Sequence, residues 1–170
     1  MTQPDLRRGR HAGLAVVVAL GVLLTAASLA GADHGPRTTL EVRDGAGVVL
    51  ERRPLGADGV FTLRYRNSLY GTQAEERFVA AGSRFELREL AARQLAVLEE
   101  YYAVSERSTR DGRGWWRAPP AYELELESLT VAATDLGRRT LIIEGQAPLE
   151  LWRMVDDGAP SVVLETVAGG

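Results

Sequence analysis

The sequence predicts a mainly β protein: an antiparallel β-sandwich or open barrel with one possible short helix, preceded by an N-terminal signal or anchor helix. Short apolar alternations recur between turn residues throughout residues 39–168, which is typical of antiparallel strands. Nearer the N-terminus, an uncharged stretch follows three arginines, which is typical of an export or anchor segment. A length of 170 residues, 45% of them hydrophobic, suffices for one packed domain and a short extra segment.

Residues 1–32 combine features of a cleavable signal peptide and of a single transmembrane anchor. Residues 14–24 have the length of a signal-peptide core, and Ala30 and Ala32 supply a small-residue cleavage site. The whole uncharged run, residues 12–32, is also long enough to cross a bilayer as a helix. With either outcome, residues 33–38 are a linker and residues 39–168 are an exported domain of the cell envelope, either secreted or anchored to the cytoplasmic membrane.

The first half of this domain is predicted to form hairpins. Asp44 and Gly47 bracket a turn with two glycines, which is a good hairpin signal. Further along, Phe61, Leu63 and Tyr65 alternate with polar residues, so they share one face of a strand. The predicted strands of this half are residues 39–43, 48–52, 60–66, 77–80 and 85–90.

The second half begins with an ambiguous segment, residues 91–105. Leu95 and Leu98 fit a helical spacing among good helix formers, whereas residues 96–104 also fit a strand. We favour a short helix or an irregular turn. After a charged loop, turns at Gly137, Gly145 and Gly158 separate further apolar runs. These runs are predicted strands at residues 129–133, 140–144, 149–154 and 162–166.

Composition excludes several classes of function. The chain has no cysteine and no lysine, which removes thiolate nucleophiles, cysteine-based zinc sites and the phosphate-loop lysine. After residue 32 there are 17 arginines and 22 acidic residues, a net charge of −5, which argues against a nucleic-acid partner. We expect no cofactor and no metal site, because the sequence contains no phosphate loop and no metal-ligand spacing.

A polar turn between two predicted strands, within residues 59–81, is the candidate binding site. Its candidate residues are Tyr65, Asn67, Ser68, Tyr70, Glu75 and Glu76. None is predicted to be catalytic. A serine nucleophile needs a neighbouring base, and the one histidine after residue 32 is His34, in the linker. We therefore expect the Ser68 hydroxyl to hydrogen-bond the turn backbone.

The adjacent glutamates Glu75 and Glu76 should point to opposite faces of a strand. We expect one of them to pair with Arg64 or Arg66 across the hairpin and the other to be solvated. An acid–base enzyme would need a second carboxylate close to one of them. The candidates for that second carboxylate are Glu99, Glu100 and Asp111.

Two aromatic pairs offer a further possible contact surface. Tyr101 and Tyr102 are adjacent, as are Trp115 and Trp116. We expect one member of each pair to pack inward and its neighbour to face outward, where it is able to stack on a ligand.

The turn resembles the signature of a bacterial domain-of-unknown-function family, number eighteen-fifty. Residues 65–69 read Tyr-Arg-Asn-Ser-Leu and residues 75–78 read Glu-Glu-Arg-Phe. The family typically has an aromatic residue, His-Ser-Val, a short turn and Glu-x-Phe. The resemblance covers about residues 40–167. It implies a small exported or membrane-tethered protein, encoded beside a TRAP transporter of the TAXI type, which imports solutes with an extracytoplasmic binding protein.

One departure from that signature bears on function. Asn67 stands at the family's histidine position. An asparagine cannot perform the proton transfer of which a histidine there is capable, but it can still form the turn. The sequence and this resemblance therefore predict a non-enzymatic accessory or binding protein. Its turn would bind a transporter permease, a solute-binding protein or a small solute. Two alternatives remain open: a cell-envelope hydrolase that uses Glu75 or Glu76, and a purely structural envelope domain.

Overall fold

The computed structural model describes residues 38–168. The predicted signal or anchor helix and nearly all of the predicted linker lie outside the described residues. No helix within residues 38–168 is long and apolar enough to cross a membrane.

The described residues form short antiparallel strands and one α-helix. The strands are β1 Thr38–Asp44, β2 Val49–Pro54, β3 Val60–Arg66, β4 Gln73–Ala81, β5 Arg84–Ala92, β6 Thr109–Arg110, β7 Trp116–Ala118, β8 Glu125–Leu126, β9 Leu129–Ala132, β10 Thr140–Ile142, β11 Leu149–Glu150 and β12 Ser161–Ala168. The helix, α1, is Leu95–Tyr102, and 3₁₀ turns lie at Ser105–Arg107 and Leu151–Arg153.

The strands form two antiparallel sheets. The small sheet has the order β2-β1-β12-β9, and the large sheet has the order β11-β10-β3-β4-β5-β7-β6, with β8 also paired to β5. Both sheets contribute side chains to one core: Leu40 and Val162 come from the small sheet, and Phe61 and Leu141 come from the large sheet. Two sheets that face each other across a shared core make a β-sandwich. The mainly β, antiparallel fold predicted for residues 39–168 is therefore confirmed.

Aromatic packing anchors the centre of this core. The Phe61 ring lies parallel to that of Phe78 at a centroid distance of 5.3 Å and meets Phe85 edge-on at 5.4 Å. The rings come from three neighbouring strands, and each side chain is at most 2% exposed. Burying one such ring contributes about 2–3 kcal/mol through the hydrophobic effect.

Two predictions from the sequence have clear outcomes. The short helix favoured for residues 91–105 is confirmed, because α1 packs Val97 and Leu98 into a second apolar cluster against β5. The strand predicted over residues 149–154 is wrong beyond Glu150. There the Leu151 amide bonds the Arg139 carbonyl at 3.0 Å, and a 3₁₀ turn carries the Leu151 side chain into the core instead.

Glu41 is a buried carboxylate on β1, on the face opposite the core residues Leu40 and Val42. Arg52 donates a hydrogen bond to Glu41 Oε1 at 2.7 Å, and Arg43 donates to Glu41 Oε2. The hydrogen bond from Arg52, together with the charges of both arginines, holds the pKa of Glu41 below its ordinary value of 4.5.

The lowered pKa of Glu41 makes stability depend on acidic pH. Because the folded-state pKa is depressed, this contribution is present above pH 4.5 and is lost as pH falls through the folded pKa. We expect the thermal unfolding midpoint to fall less between about pH 5 and pH 2 in Glu41→Gln than in the wild type. The more exposed Glu51→Gln is the control. Equal pH slopes in all three proteins would contradict the role of Glu41.

Candidate functional site

Asn67 organises the turn between β3 and β4. Its side chain is buried, and its Oδ1 accepts hydrogen bonds from the backbone N–H groups of Leu69 at 3.1 Å and Tyr70 at 3.0 Å. Its own N–H bonds the Thr72 carbonyl at 2.7 Å, and its carbonyl accepts from Gly71 at 2.8 Å. One side chain therefore binds two amides inside a turn that the backbone closes, so the turn has little freedom to move.

Ser68 does not have the predicted role. Its side chain is exposed, and its hydroxyl makes no hydrogen bond to any of residues 38–168. The expectation that it bonds the turn backbone is wrong, because the Asn67 side chain, one residue earlier, already binds the amides at the tip of the turn.

The two glutamates do point to opposite faces of β4. Glu75 lies across from Arg64 in the sheet register, and Arg64 Nε donates to Glu75 Oε1 at 2.8 Å. The predicted pairing with an arginine across the hairpin is confirmed for this pair. The expectation that the other glutamate is solvated is wrong, since Glu76 lies on the inner side of the sheet and accepts a hydrogen bond from Tyr102.

A chain of three hydrogen-bonding groups connects β3, α1 and β4. The Tyr65 and Tyr102 hydroxyls lie 2.7 Å apart, and the Tyr102 hydroxyl donates to Glu76 Oε1 at 2.6 Å. Burial, followed by the charge of Glu76, raises the pKa of Tyr102 far above its ordinary value of 10.0. Arg139 lies over the Tyr65 ring at 4.8 Å. Tyr65 and Glu76 therefore join the helix to the sheet.

Removing the Tyr102 hydroxyl should destabilise the domain. In Tyr102→Phe the part-buried Glu76 loses its donor and Tyr65 loses its partner, so we expect the free energy of unfolding to fall by about 1–3 kcal/mol. Urea denaturation measures this loss. Tyr101→Phe is the matched control, because the Tyr101 side chain is 52% exposed. A loss in Tyr102→Phe no larger than in this control would argue against the network.

Tyr70 holds the turn against the helix. Its hydroxyl donates to Glu100 Oε1 at 2.5 Å, and this hydrogen bond is the main reason that the pKa of Tyr70 rises to about 12. The position of the turn is thus fixed by four residues in it or beside it: Tyr65, Asn67, Tyr70 and Glu76. Glu75 faces away from them.

The outer face of the large sheet carries a groove of about 580 Å³. Glu75 lines it together with Arg77 and Glu89, which lie across from each other on β4 and β5. Arg117 also lines the groove and bonds Glu89 at 2.5 Å and Asp111 at 2.9 Å. The groove therefore has positively and negatively charged side chains close together. Aliphatic side chains, including Val60 and Ile142, also line it.

The sequence did not identify these groove residues. The sequence offered Glu99, Glu100 and Asp111 as the second carboxylate, whereas the carboxylates that line the groove with Glu75 are Asp58, Glu89 and Glu144. Glu100 binds Tyr70 instead. The alternation of Glu89 with buried Leu90 signalled an outward side chain, but only the register of β4 and β5 places it beside Arg77.

The aromatic pairs behave largely as predicted. Tyr101 is exposed while Tyr102 faces inward. Trp115 is buried beneath the Arg93 guanidinium, which lies 4.4 Å from its ring centroid, and Trp116 is half-buried. Among residues 38–168, no three acidic or histidine side chains come together as a metal site.

Comparison with known proteins finds no match: no family model, no curated protein and no solved structure is similar to the chain. The resemblance of residues 65–78 to a family signature therefore stays an expectation drawn from the motif.

Proposed function

We propose that the β-sandwich is a non-enzymatic accessory domain outside the cytoplasmic membrane, and that it recognises a component of a TRAP-type solute transporter through the β3–β4 turn. The observation that carries the proposal is the turn itself. Asn67 holds it rigidly, while Leu69 at its tip is 66% exposed. A rigid turn with an exposed apolar tip loses little conformational entropy on binding.

The bonding of the polar residues supports a binding role. Glu75 is ion-paired with Arg64, and Glu76 accepts from Tyr102. Ser68 has no base beside it among the described residues. Glu75 and Glu76 are thus held by the fold, and Ser68 lacks an activating partner. The transporter context comes from the family resemblance of residues 65–78.

Affinity purification of the full chain from chemically crosslinked membranes tests this function. We expect a permease or an extracytoplasmic solute-binding protein to copurify with the wild type, and recovery to fall in Leu69→Asp. Tyr122→Asp is the control, because Tyr122 is 73% exposed but lies away from the turn. If no transporter component is recovered with the wild type, the transporter association is wrong. If Leu69→Asp and Tyr122→Asp recover the transporter component equally, the turn does not contact the transporter. That result is the one expected if the turn has a purely structural role.

The groove favours a second candidate, a cell-envelope hydrolase that uses Glu75. This carboxylate is only 13% exposed and shares the groove with Arg77 and Glu89. If the protein is this hydrolase, it should release soluble fragments from purified peptidoglycan. Glu75→Gln should abolish this release while Glu76→Gln, on the opposite face, retains it. Wild-type protein that releases no fragments would exclude this activity on peptidoglycan.

A further inference from the structure

The groove on the outer face of the large sheet, at about 580 Å³, has a size typical of a site for a small ligand. Long and short side chains alternate across it. Arg77 lies across from Thr62 on β3, and Glu75 lies across from Ala91 on β5. The short side chains of Thr62 and Ala91 therefore leave space between longer charged neighbours.

Most of the charges that line the groove are already paired. Arg64 binds Glu75 at 2.7 Å from the opposite strand. Arg117 binds Glu89 at 2.5 Å and Asp111 at 2.9 Å. These ion pairs compensate each other, so they leave little net charge for a ligand to neutralise.

Arg77 is the unpaired cation of the groove. It is exposed, and no carboxylate lies within 4.0 Å of its guanidinium among residues 38–168. Glu89 lies across from it in the register but is bound by Arg117. Arg77 thus offers the groove a positive charge with the planar fork that suits a carboxylate.

Two unpaired carboxylates lie at one end of the groove. Asp58 precedes β3 and Glu144 follows β10, and these strand ends lie together because β3 and β10 are antiparallel. Neither carboxylate has an arginine within 4.0 Å in the described part of the chain. The groove therefore has a negative end, and Arg77 lies away from that end.

The strand register gives the spacing between the opposite charges. Arg77 lies across from Thr62, and Thr62 lies across from Ile142. Two strand spacings separate Arg77 from Ile142, about 10 Å, and Glu144 lies two residues beyond Ile142. A free amino acid separates its charges by about 3.5 Å, whereas two or three extended residues span about 7–11 Å.

We propose that the groove binds a short peptide of two or three residues with a free amino group and a free carboxylate. Arg77 binds the terminal carboxylate, and Asp58 and Glu144 bind the terminal ammonium. Val60 and Ile142, which line the groove, contact an apolar side chain of the peptide. The proposal does not depend on the accessory function, because none of residues 67–72 in the β3–β4 turn lines the groove.

Ligands with charges of one sign fit the groove less well. A dicarboxylate would place its second carboxylate near Asp58 or Glu144, and a diamine would place its second ammonium near Arg77. Like charges brought together in this way cost binding free energy. A single amino acid is too short to reach both ends.

Isothermal titration calorimetry of the full chain in detergent tests the proposal. The probe is the tripeptide Ala-Leu-Ala with free ends, which we expect to bind. Its N-acetylated form, its C-amidated form and free alanine should each bind at least about tenfold more weakly, because each loses a charge-assisted hydrogen bond. No binding of the free tripeptide, or equal affinity for any of these three ligands, would overturn the proposal.

Arg77→Gln tests the carboxylate end. We expect the affinity for free Ala-Leu-Ala to fall about tenfold, while the affinity for the amidated peptide stays unchanged. Arg66→Gln is the matched control, since Arg66 is also exposed and without a carboxylate within 4.0 Å among the described residues, but does not line the groove. Equal losses of affinity in both variants would contradict the role of Arg77.

Glu144→Gln tests the ammonium end. The affinity for the free tripeptide should fall severalfold, and the affinity for the acetylated peptide should not change. Glu127→Gln is the control, because the Glu127 side chain is 86% exposed and lies outside the groove. If Glu144→Gln binds the free tripeptide as tightly as Glu127→Gln, the ammonium is not bound there.

The outcomes for the groove and for the two functions proposed above are distinguishable. We expect mass spectrometry to recover the tripeptide intact after incubation with the protein. Cleavage that stops in Glu75→Gln would overturn a binding role and support the hydrolase. Copurification of a transporter component without peptide binding would leave the accessory function standing and the groove proposal refuted, and the reverse result would refute the transporter association alone.

Discussion

Replacing Gly59 by alanine is expected to lower the free energy of unfolding by about 3 kcal/mol, because a clash and backbone strain add at this position. A Cβ at residue 59 would lie 2.6 Å from the Ala80 carbonyl oxygen, and φ there is +64°. Neither residue 59 nor residue 80 moves away easily, because the Ala80 N–H donates a hydrogen bond to the Gly59 carbonyl at 2.9 Å. This hydrogen bond joins the residue before β3 to β4. Guanidinium or urea denaturation measures the loss.

Gly82→Ala is the matched control for this substitution. Gly82 has nearly the same φ, +63°, but no atom of the described residues lies within 4 Å of the position that its Cβ would take. It should therefore lose only the backbone preference, about 1 kcal/mol. Equal losses of unfolding free energy in Gly59→Ala and Gly82→Ala would mean that the close contact with the Ala80 carbonyl does not add to the cost.

Replacing Asn67 by alanine is expected to lower the free energy of unfolding by about 2 kcal/mol. The Leu69 and Tyr70 amides lose their shared acceptor, and each unmade hydrogen bond costs about 1 kcal/mol. The freed turn should also bind the proposed transporter partner less well, because Leu69 is no longer held in one position. Chemical denaturation and the purification from crosslinked membranes measure the two effects.

Two variants show whether the side-chain acceptor is responsible for this loss. Asn67→Asp keeps an oxygen at the same place and should retain most of the stability. Ser68→Ala should change stability by less than about 0.5 kcal/mol, as at other exposed positions. If Ser68→Ala costs as much as Asn67→Ala, then the turn depends on the serine hydroxyl after all.

Features that depend on residues close together in the chain were predictable from the sequence. Alternating Phe61, Leu63 and Tyr65 revealed β3 and its buried face, because a strand turns successive side chains to opposite sides. The pairing of Glu75 with Arg64 was within reach too, since one short turn sets the register of a hairpin.

Interactions between distant segments were not predictable in this way. Tyr102, on a helix, hydrogen-bonds Glu76, which lies 26 residues earlier in the chain. The carboxylate that was expected to be solvated is instead part of a part-buried network. The strand expected after Glu150 gave way to a 3₁₀ turn, because burying Leu151 in the shared core outweighed local strand preference.

The sequence alone determined that residues 39–168 would form a mainly antiparallel β domain, with a polar turn between two strands near Asn67. Period-2 patterning and turn residues act over a few positions, so they are legible without knowing the fold. Only the tertiary structure decided on which face of the sheet Glu75 and Glu76 each lie and which turns lie next to each other. The groove around Glu75 depends on the registers of several strands. The β3–β4 turn lies beside the β9–β10 connection through a hydrogen bond between Arg66 and Gly137, 71 residues apart, which no local pattern encodes.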